Sequence, residues 1–326
     1  MEKAETFKDL LGDSQLPKES EAVDRIAVIG AGQMGCGIAQ AVSAKGLSVL
    51  LVERDDNTMK KRRELLEQNL DAEIARWSMT ESDKRAILSR IQWTTDLSEI
   101  EGHKIIIEAV PDQMSIKKPL VERLDALASK DAIFVTNTST LSVTEIAEYT
   151  SRPDRLIGMH FLHPVPKKPL VEIVRGLKTS NETFNIARKF AEEIGKSVVE
   201  VYESPGYVTT RVILPMLNEA MYALMEGVAS SAGIDRAMRD GYDFLYGPLE
   251  LADRMGLDEV WQWLDRMFKE TGEMKYRPCP LLRKMVRAGN LGVKTGRGFF
   301  VYDDKGRRVN PAAHPVERRH NQSEKS

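Results

Sequence analysis

The sequence predicts an α/β protein in which a mainly parallel sheet domain is followed by an all-α one. Three observations carry this expectation. From Arg25 to about residue 203, short apolar runs alternate with longer helical stretches, the pattern of successive βαβ units. After Ser204-Pro205-Gly206 the strand signals stop, and apolar residues recur at three- and four-residue spacing. A chain of 326 residues with 42% hydrophobic and 29% charged residues has the balance of a globular protein of about two domains.

Taken in order, residues 1–24 read as a polar extension whose apolar cluster, Phe7, Leu10 and Leu11, has helical spacing. The sheet domain is expected over 25–203, with strands at 25–29, 48–52, 104–108, 132–136, 156–161, 170–174 and 197–202. Between the second and third of these, the charged segment 57–91 reads as a helical pair that leaves the sheet, with Lys60, Lys61, Arg62 and Arg63 on its first helix. The helical domain is expected over 204–303, with helices near 207–229, 233–240, 248–256 and 258–271. Residues 304–326 form a polar tail, expected to fray. Apolar faces at 207–229 and 248–263 suggest a homodimer.

Composition narrows the partners. Lys and Arg number 47 against 49 Asp and Glu, a formal net charge of −2, so no broad basic field exists for nucleic acid. The two cysteines, Cys36 and Cys279, are far apart and lack metal-ligand spacing. Neither a disulfide framework nor a bound metal is expected, and a reducing cytoplasm fits. The first twenty residues mix acids with Lys and carry no apolar signal core. Every apolar run is cut by charges or glycines, well short of the roughly 18 uninterrupted residues of a membrane span.

The strongest local signal is Gly30-Ala31-Gly32-Gln33-Met34-Gly35, a G-x-G-x-x-G that follows the strand at 25–29 and opens a helix. Gly30 permits the tight turn, Gly32 lets backbone approach a pyrophosphate, and Gly35 allows close helix–strand packing. The helix N-terminus offers free N–H groups to the anion. Glu53 stands at the end of the next strand, where an acid accepts hydrogen bonds from the ribose hydroxyls of NAD and repels the extra phosphate of NADP. A Rossmann-type NAD site is therefore expected, with Gln33 and Met34 among its contacts. Arg54, beside the acid, is the residue that would favour NADP instead. Cys36 reads as a small packing side chain in this turn.

In an open parallel sheet, ligands lie at the carboxyl ends of the strands, which directs attention to three segments. Asn137-Thr138-Ser139-Thr140 follows one strand and offers hydroxyls, although such residues also cap helices. Gly158-Met159-His160-Phe161 and Leu170-Val171-Glu172-Ile173 flank a loop containing Pro164, Pro166 and Pro169. If these two pieces pair antiparallel, His160 and Glu172 fall opposite each other, with Cβ atoms roughly 5 Å apart. A carboxylate beside an imidazole raises its basicity and fixes its orientation, as a proton-abstracting base requires. A histidine among apolar residues is also commonly structural, and His163 is a rival base three residues away.

These residues together resemble the L-3-hydroxyacyl-CoA dehydrogenases, including the 3-hydroxybutyryl-CoA dehydrogenases. The resemblance runs from about Arg25 to Tyr302 and rests on IAVIGAGQMGCGIAQ (26–40), IIIEAVPD (105–112), NTSTL (137–141), RLIGMHFLHPVP (155–166), LVEIV (170–174), SPGYVTTR (204–211), GPLELAD (247–253) and GVKTGRGFFVY (292–302). It implies NAD-dependent oxidation of an L-3-hydroxyacyl-CoA, or the reverse reduction, on short acyl chains. His160 is then the base, Glu172 orients it, and Ser139 hydrogen-bonds the reacting oxygen. Glu53, Asp112 and Lys117 match cofactor-contacting positions, and Asn69 and Arg76 match positions that touch coenzyme A. Three departures stand out: Glu53 where Asp is usual, His163 where an Asn sits beside the nicotinamide, and Thr210 where an Asn lies near the substrate. A dehydrogenase of free hydroxy or sugar acids, as in the related L-gulonate dehydrogenases, and a non-catalytic NAD-binding protein are the alternatives. The coenzyme A surface separates the first from the family reading, and the combination of Ser139, His160 and Glu172 separates the second.

Overall fold

Eight strands form one sheet whose order explains where a ligand can bind. A computed structural model of the chain describes residues 25–76 and 78–310. The Phe7, Leu10 and Leu11 cluster and the end of the polar tail lie outside the described residues. In chain order the first unit is β1 (Ile26–Ile29), α1 (Gln33–Ala44) and β2 (Val49–Val52), followed by α2 (Asp56–Ala75), α3 (Glu81–Ser89) and β3 (Ile91–Thr94). Then come β4 (Ile105–Glu108), α4 (Met114–Leu127), β5 (Ile133–Thr136), α5 (Val143–Ala147), β6 (Leu156–Phe161), β7 (Leu170–Arg175), α6 (Asn181–Glu193) and β8 (Ser197–Tyr202). The strand order is β3-β2-β1-β4-β5-β6-β7-β8. All neighbours pair parallel except β6 and β7. The order reverses between β1 and β4, so the crevice at their carboxyl ends is the topological switch point.

The central strands are buried on both faces, which is why they read as continuous apolar runs. Alternate residues feed two cores. Ile26 and Val28 pack with α1 and α6 residues such as Ile38 and Phe190, while Ala27 and Ile29 pack with α4 and α5 residues such as Val121 and Ile146.

The segment 57–91 departs from expectation at its end. Its two helices are present, but the second stops at Ser89 and the chain re-enters the sheet as β3, paired parallel with β2. The helical pair is thus the crossover between β2 and β3 and no excursion. The sequence Ile91-Gln92-Trp93-Thr94 hid this strand, because an edge strand buries few residues and here only Ile91 and Thr94 are covered.

The helical half contains α7 (Thr209–Met225), α8 (Ser231–Tyr242), α9 (Pro248–Met255), α10 (Leu257–Thr271) and α11 (Pro280–Arg287), and ends in a short ribbon of β9 (Val301–Tyr302) and β10 (Arg308–Asn310). Its core joins Leu214, Leu217 and Met221 of α7 to Leu257, Val260 and Leu264 of α10 and to Phe299 and Phe300. The helix α11 was not anticipated, because eight residues are too few to display a clear period.

Two buried carboxylates hold this half together. Asp235 of α8 accepts the N–H groups of Leu249 and Glu250, both at 2.9 Å, and so caps α9, whose own N-cap is Gly247. Asp253 of α9 accepts the N–H groups of Phe299 and Phe300 and the Tyr302 hydroxyl, all at 2.9 Å. A Cβ on Gly298 would stand 1.9 Å from Asp253 Oδ1, so only glycine lets the chain wrap this close. The motifs at 247–253 and 292–302 are therefore scaffold. Asp253→Ala strands three buried donors, and stability in urea is expected to fall by about 2–5 kcal/mol. Gly298→Ala should produce a loss of the same order. If both variants unfold within about 0.5 kcal/mol of the parent, the normal scatter of surface substitutions, the carboxylate is not the tie.

Candidate active site

The turn after β1 has the shape an anion requires. Gly30 adopts φ +97° and a Cβ there would meet the backbone oxygen of Ala109 at 3.1 Å. A Cβ on Gly35 would lie 1.8 Å from the Gly30 oxygen, whereas one on Gly32 would meet nothing within 4 Å. Gly32 therefore faces open space above the turn, which is where a pyrophosphate fits. It is also the N-cap of α1, with no side-chain cap on the helix and no acid in its first turn.

Glu53 reaches back over this turn. One carboxylate oxygen accepts the N–H of Ala31 at 3.1 Å and the other that of Arg54 at 2.8 Å. The Arg54 side chain turns away and pairs with Asp55 at 3.0 Å, largely in solvent. Gln33 and Met34 open α1, and the Gln33 amide lies 3.1 Å from Nε2 of His163. His163 is thus linked to the phosphate-binding turn. Cys36 donates its thiol to the Ala31 carbonyl at 3.1 Å, and burial pushes that thiol up to about 12. It is a protonated packing group.

The floor of the crevice holds an ion pair that the sequence reading did not assign. Glu108, at the end of β4, accepts Lys117 Nζ at 2.7 and 2.6 Å, the Thr136 hydroxyl at 2.8 Å and the Val110 N–H at 2.8 Å. Lys117, expected among the cofactor contacts, is 0% exposed and also donates to the Asn137 carbonyl at 3.3 Å. Its ammonium sits beneath the surface, braced against Glu108. The acid at the end of IIIE was visible as the one charge closing an apolar run, and that was the signal to follow.

Beside it, Asp112 gathers groups from both halves of the molecule. Its Oδ2 accepts the Ser139 hydroxyl at 3.4 Å and Arg266 Nη1 of α10 at 3.0 Å. The same guanidinium reaches the Thr140 hydroxyl. Lys117 lies 3.8 Å from the other oxygen. Arg266 could not be found from spacing, because its helix face is defined only once α10 packs across the crevice.

The hairpin of β6 and β7 pairs antiparallel with His160 opposite Glu172. The two side chains meet with Nδ1 2.7 Å from Oε2. Burial opposes charge on Glu172, but hydrogen bonds from His160 and from the N–H and hydroxyl of Thr209 hold its carboxyl below the ordinary range. With the carboxylate ionised, Nδ1 carries the proton and Nε2 keeps a free lone pair. Asn137 accepts the Phe161 N–H at 3.3 Å, tying the Ser139 loop to the strand that carries His160.

Thr210 is buried in the first turn of α7, and its neighbour Thr209 is the residue whose hydroxyl reaches Glu172. Asn69 and Arg76 are exposed on α2 and at its C-cap. With Glu73 they share one helix face, and Glu73 lies 3.6 Å from Lys167 in the loop after β6. That contact ties their helix to the loop between β6 and β7. Among the described residues no group of three or more His, Cys, Asp or Glu is placed to hold a metal ion, and no helix is long and apolar enough to cross a membrane.

A dinucleotide cradle, a buried histidine–carboxylate pair and a helical second half define a two-domain NAD-binding oxidoreductase. Residues 25–204 match the NAD-binding domain of 3-hydroxyacyl-CoA dehydrogenase, and residues 206–302 match the C-terminal domain of the same enzyme. The chain belongs to the 3-hydroxyacyl-CoA dehydrogenase family. It is 43% identical over 283 residues to a probable 3-hydroxybutyryl-CoA dehydrogenase of Bacillus subtilis, covering 87% of this chain and 99% of that one. It is 36% identical over 288 residues to the mitochondrial hydroxyacyl-coenzyme A dehydrogenase of Homo sapiens, covering 86% and 91% of the two chains. The solved (S)-3-hydroxybutyryl-CoA dehydrogenase of Ralstonia eutropha superposes with a TM-score of 0.81 at 40% identity, over 87% of this chain and all of that one.

The Arg266–Asp112 pair is partly buried, so its worth should lie between that of surface and interior pairs. A double-mutant cycle with Arg266→Met and Asp112→Asn is expected to give a coupling of about 1 kcal/mol in stability. A coupling indistinguishable from zero would mean that α10 does not depend on this contact.

Proposed function

We propose that the protein oxidises an L-3-hydroxyacyl-CoA to the 3-ketoacyl-CoA, or catalyses the reverse reduction, on short chains such as 3-hydroxybutyryl-CoA and acetoacetyl-CoA. The observation that carries the mechanism is the buried 2.7 Å contact between His160 and Glu172. His160 Nε2 accepts the hydroxyl proton of the substrate, and Glu172 holds the ring and stabilises the imidazolium. Ser139 donates a hydrogen bond to the reacting oxygen, and Thr210 and His163 line the neighbouring space. Bound NAD supplies the hydride acceptor at the reacting carbon. Gly30, Gly32, Gly35, Gln33 and Met34 hold its pyrophosphate, Glu53 its ribose, and Asp112 the edge of its site, with Lys117 acting through Glu108. The exposed face of Asn69 and Arg76 receives coenzyme A.

This reading extends to a homodimer in the cytoplasm working in fatty-acid or butyrate metabolism. Exposed apolar residues within 207–229, among them Val212 at 68% and Val228 at 73%, support self-association, whereas Leu249, Leu257 and Val260 of the 248–263 segment are buried in the helical core. Both cysteines are free, which fits a reducing compartment.

Acetoacetyl-CoA reduction with NADH is the direct test, with acetoacetate and free sugar acids as the competing substrates. Turnover of the free acids without activity on the thioester would replace this reading with that of a hydroxy-acid dehydrogenase. His160→Ala should lower kcat by on the order of 10²–10⁴-fold with little change in KM, as for a lost general base. Full activity in His160→Ala and none in His163→Ala would move the base to His163.

Glu53 and the outward-turned Arg54 lead to a second expectation, that NADH is preferred over NADPH by at least about tenfold, roughly 1.4 kcal/mol. Glu53→Ala should narrow that gap. Equal kcat/KM with the two cofactors in the unmodified protein would assign control of the site to Arg54.

A further inference from the structure

Glu172 is wholly buried, at 0% exposure, and its carboxylate is met by four donors. His160 Nδ1 approaches Oε2 at 2.7 Å, and the Thr209 hydroxyl donates to the same oxygen at 2.8 Å. The backbone N–H groups of Val208 and Thr209 donate to Oε1 at 3.0 and 2.8 Å. Three of the four donors thus come from one turn, where the sheet half gives way to α7.

The backbone of that turn is what aims them. Gly206 and Tyr207 both lie in the left-handed region, with φ +76° and +51°. This is an unfavourable conformation for tyrosine, and such strain persists only where its surroundings hold it. The Tyr207 hydroxyl donates to the Leu141 carbonyl at 3.2 Å, and its ring centroid lies 5.6 Å from that of His160. Reversal of the chain at these two residues points consecutive N–H groups of the α7 N-terminus at one carboxylate oxygen, a small anion receptor.

We propose that Thr209 is a positioning residue for the reaction, its hydroxyl fixing the plane of the Glu172 carboxylate and sharing the charge of the oxygen that faces His160. A carboxylate held at Oε1 by the turn and at Oε2 by His160 alone can still swing together with the imidazole about its last carbon–carbon bond. The second donor on Oε2 removes that freedom and keeps the imidazole aligned. It also draws from Oε2, the oxygen that faces the imidazole, charge that an unshared carboxylate would keep. Tyr207 faces the pair from the same turn, and Asp112 and Glu203 lie within electrostatic reach of Tyr207.

The inference rests on the reading of His160 as the base, so the test needs one measurement that does not depend on turnover. Thr209→Val keeps the backbone donors and the side-chain shape, and Thr209→Ser keeps the hydroxyl. In Thr209→Val, kcat for 3-hydroxybutyryl-CoA oxidation is expected to fall about 3–30-fold with KM within about twofold, the size of an indirect loss of one hydrogen bond to a charged group. The acid limb of the kcat/KM profile should move to higher pH, because a more basic imidazole loses its proton later. In the free protein the proton NMR resonance of His160 Nδ1–H should move downfield as its bond to Glu172 shortens. Thr209→Ser should restore all three. An unchanged resonance and an unchanged acid limb in Thr209→Val would overturn the positioning role, leaving the hydroxyl a structural tie. A shifted resonance combined with full turnover in His160→Gln would support the contact and overturn instead the assignment of the base.

Discussion

A buried carboxylate remains ionised only where donors surround it, and Glu172 takes its donors from both halves of the chain. The strand β6 supplies an imidazole, and the turn entering α7 supplies two amides and a hydroxyl. The consequences spread outward from this point. The antiparallel pairing of β6 and β7 sets His160 opposite Glu172, and a slip of one residue would leave the two side chains on opposite faces of the sheet. The left-handed Gly206–Tyr207 pair is tolerated because its reversal aims the amides. The helical half is docked at the same place that the imidazole is oriented, so packing and chemistry share one constraint.

A second network of the same kind lies on the other side of the crevice. Glu108 and Lys117 form an interior ion pair, a costly feature that survives because Thr136, Val110 and Asn137 satisfy the remaining hydrogen-bonding groups. Above it, Asp112 is shared by Ser139 and by Arg266 from α10. The Ser139 loop is thereby held from below by the sheet and from across the crevice by the helical half. Its position, like that of His160, depends on how the two halves meet.

Away from the crevice, the helical half relies on backbone amides caught by buried acids. Asp235 caps α9 and Asp253 ties α9 to the Phe299–Phe300 segment. Short helices and a two-stranded ribbon bury little apolar surface each, and these ties fix their relative positions. Gly292 and Gly298 of the 292–302 segment are there because the Asp253 backbone and side chain occupy the space a Cβ would need. A segment that helps to identify the family is thus a packing device.

What the sequence determined by itself follows from short-range patterns. Continuous apolar runs announced β1, β2, β4 and β5, because strands buried on both faces show no alternation. The spacing of Gly30, Gly32 and Gly35 announced the anion-binding turn, because each glycine answers a local steric demand. Two strand-like pieces around a proline-rich loop were enough to set His160 against Glu172, because register follows once antiparallel pairing is assumed. Other features were hidden for equally physical reasons. The strand β3 buries only two residues and is stabilised by its partner β2. The helix α11 is too short to show a period. Lys117 matched a ligand-contacting position, yet its ammonium is turned inward to Glu108, a choice made by the burial of that acid. Arg266 and Thr209 were unreadable because each acts across the boundary between the two halves, on groups 154 and 37 residues away. The sequence names the donors and acceptors that can be near one another along strand and turn, whereas contacts between separately folded halves exist only after they dock, and that docking decides the surroundings of the carboxylate.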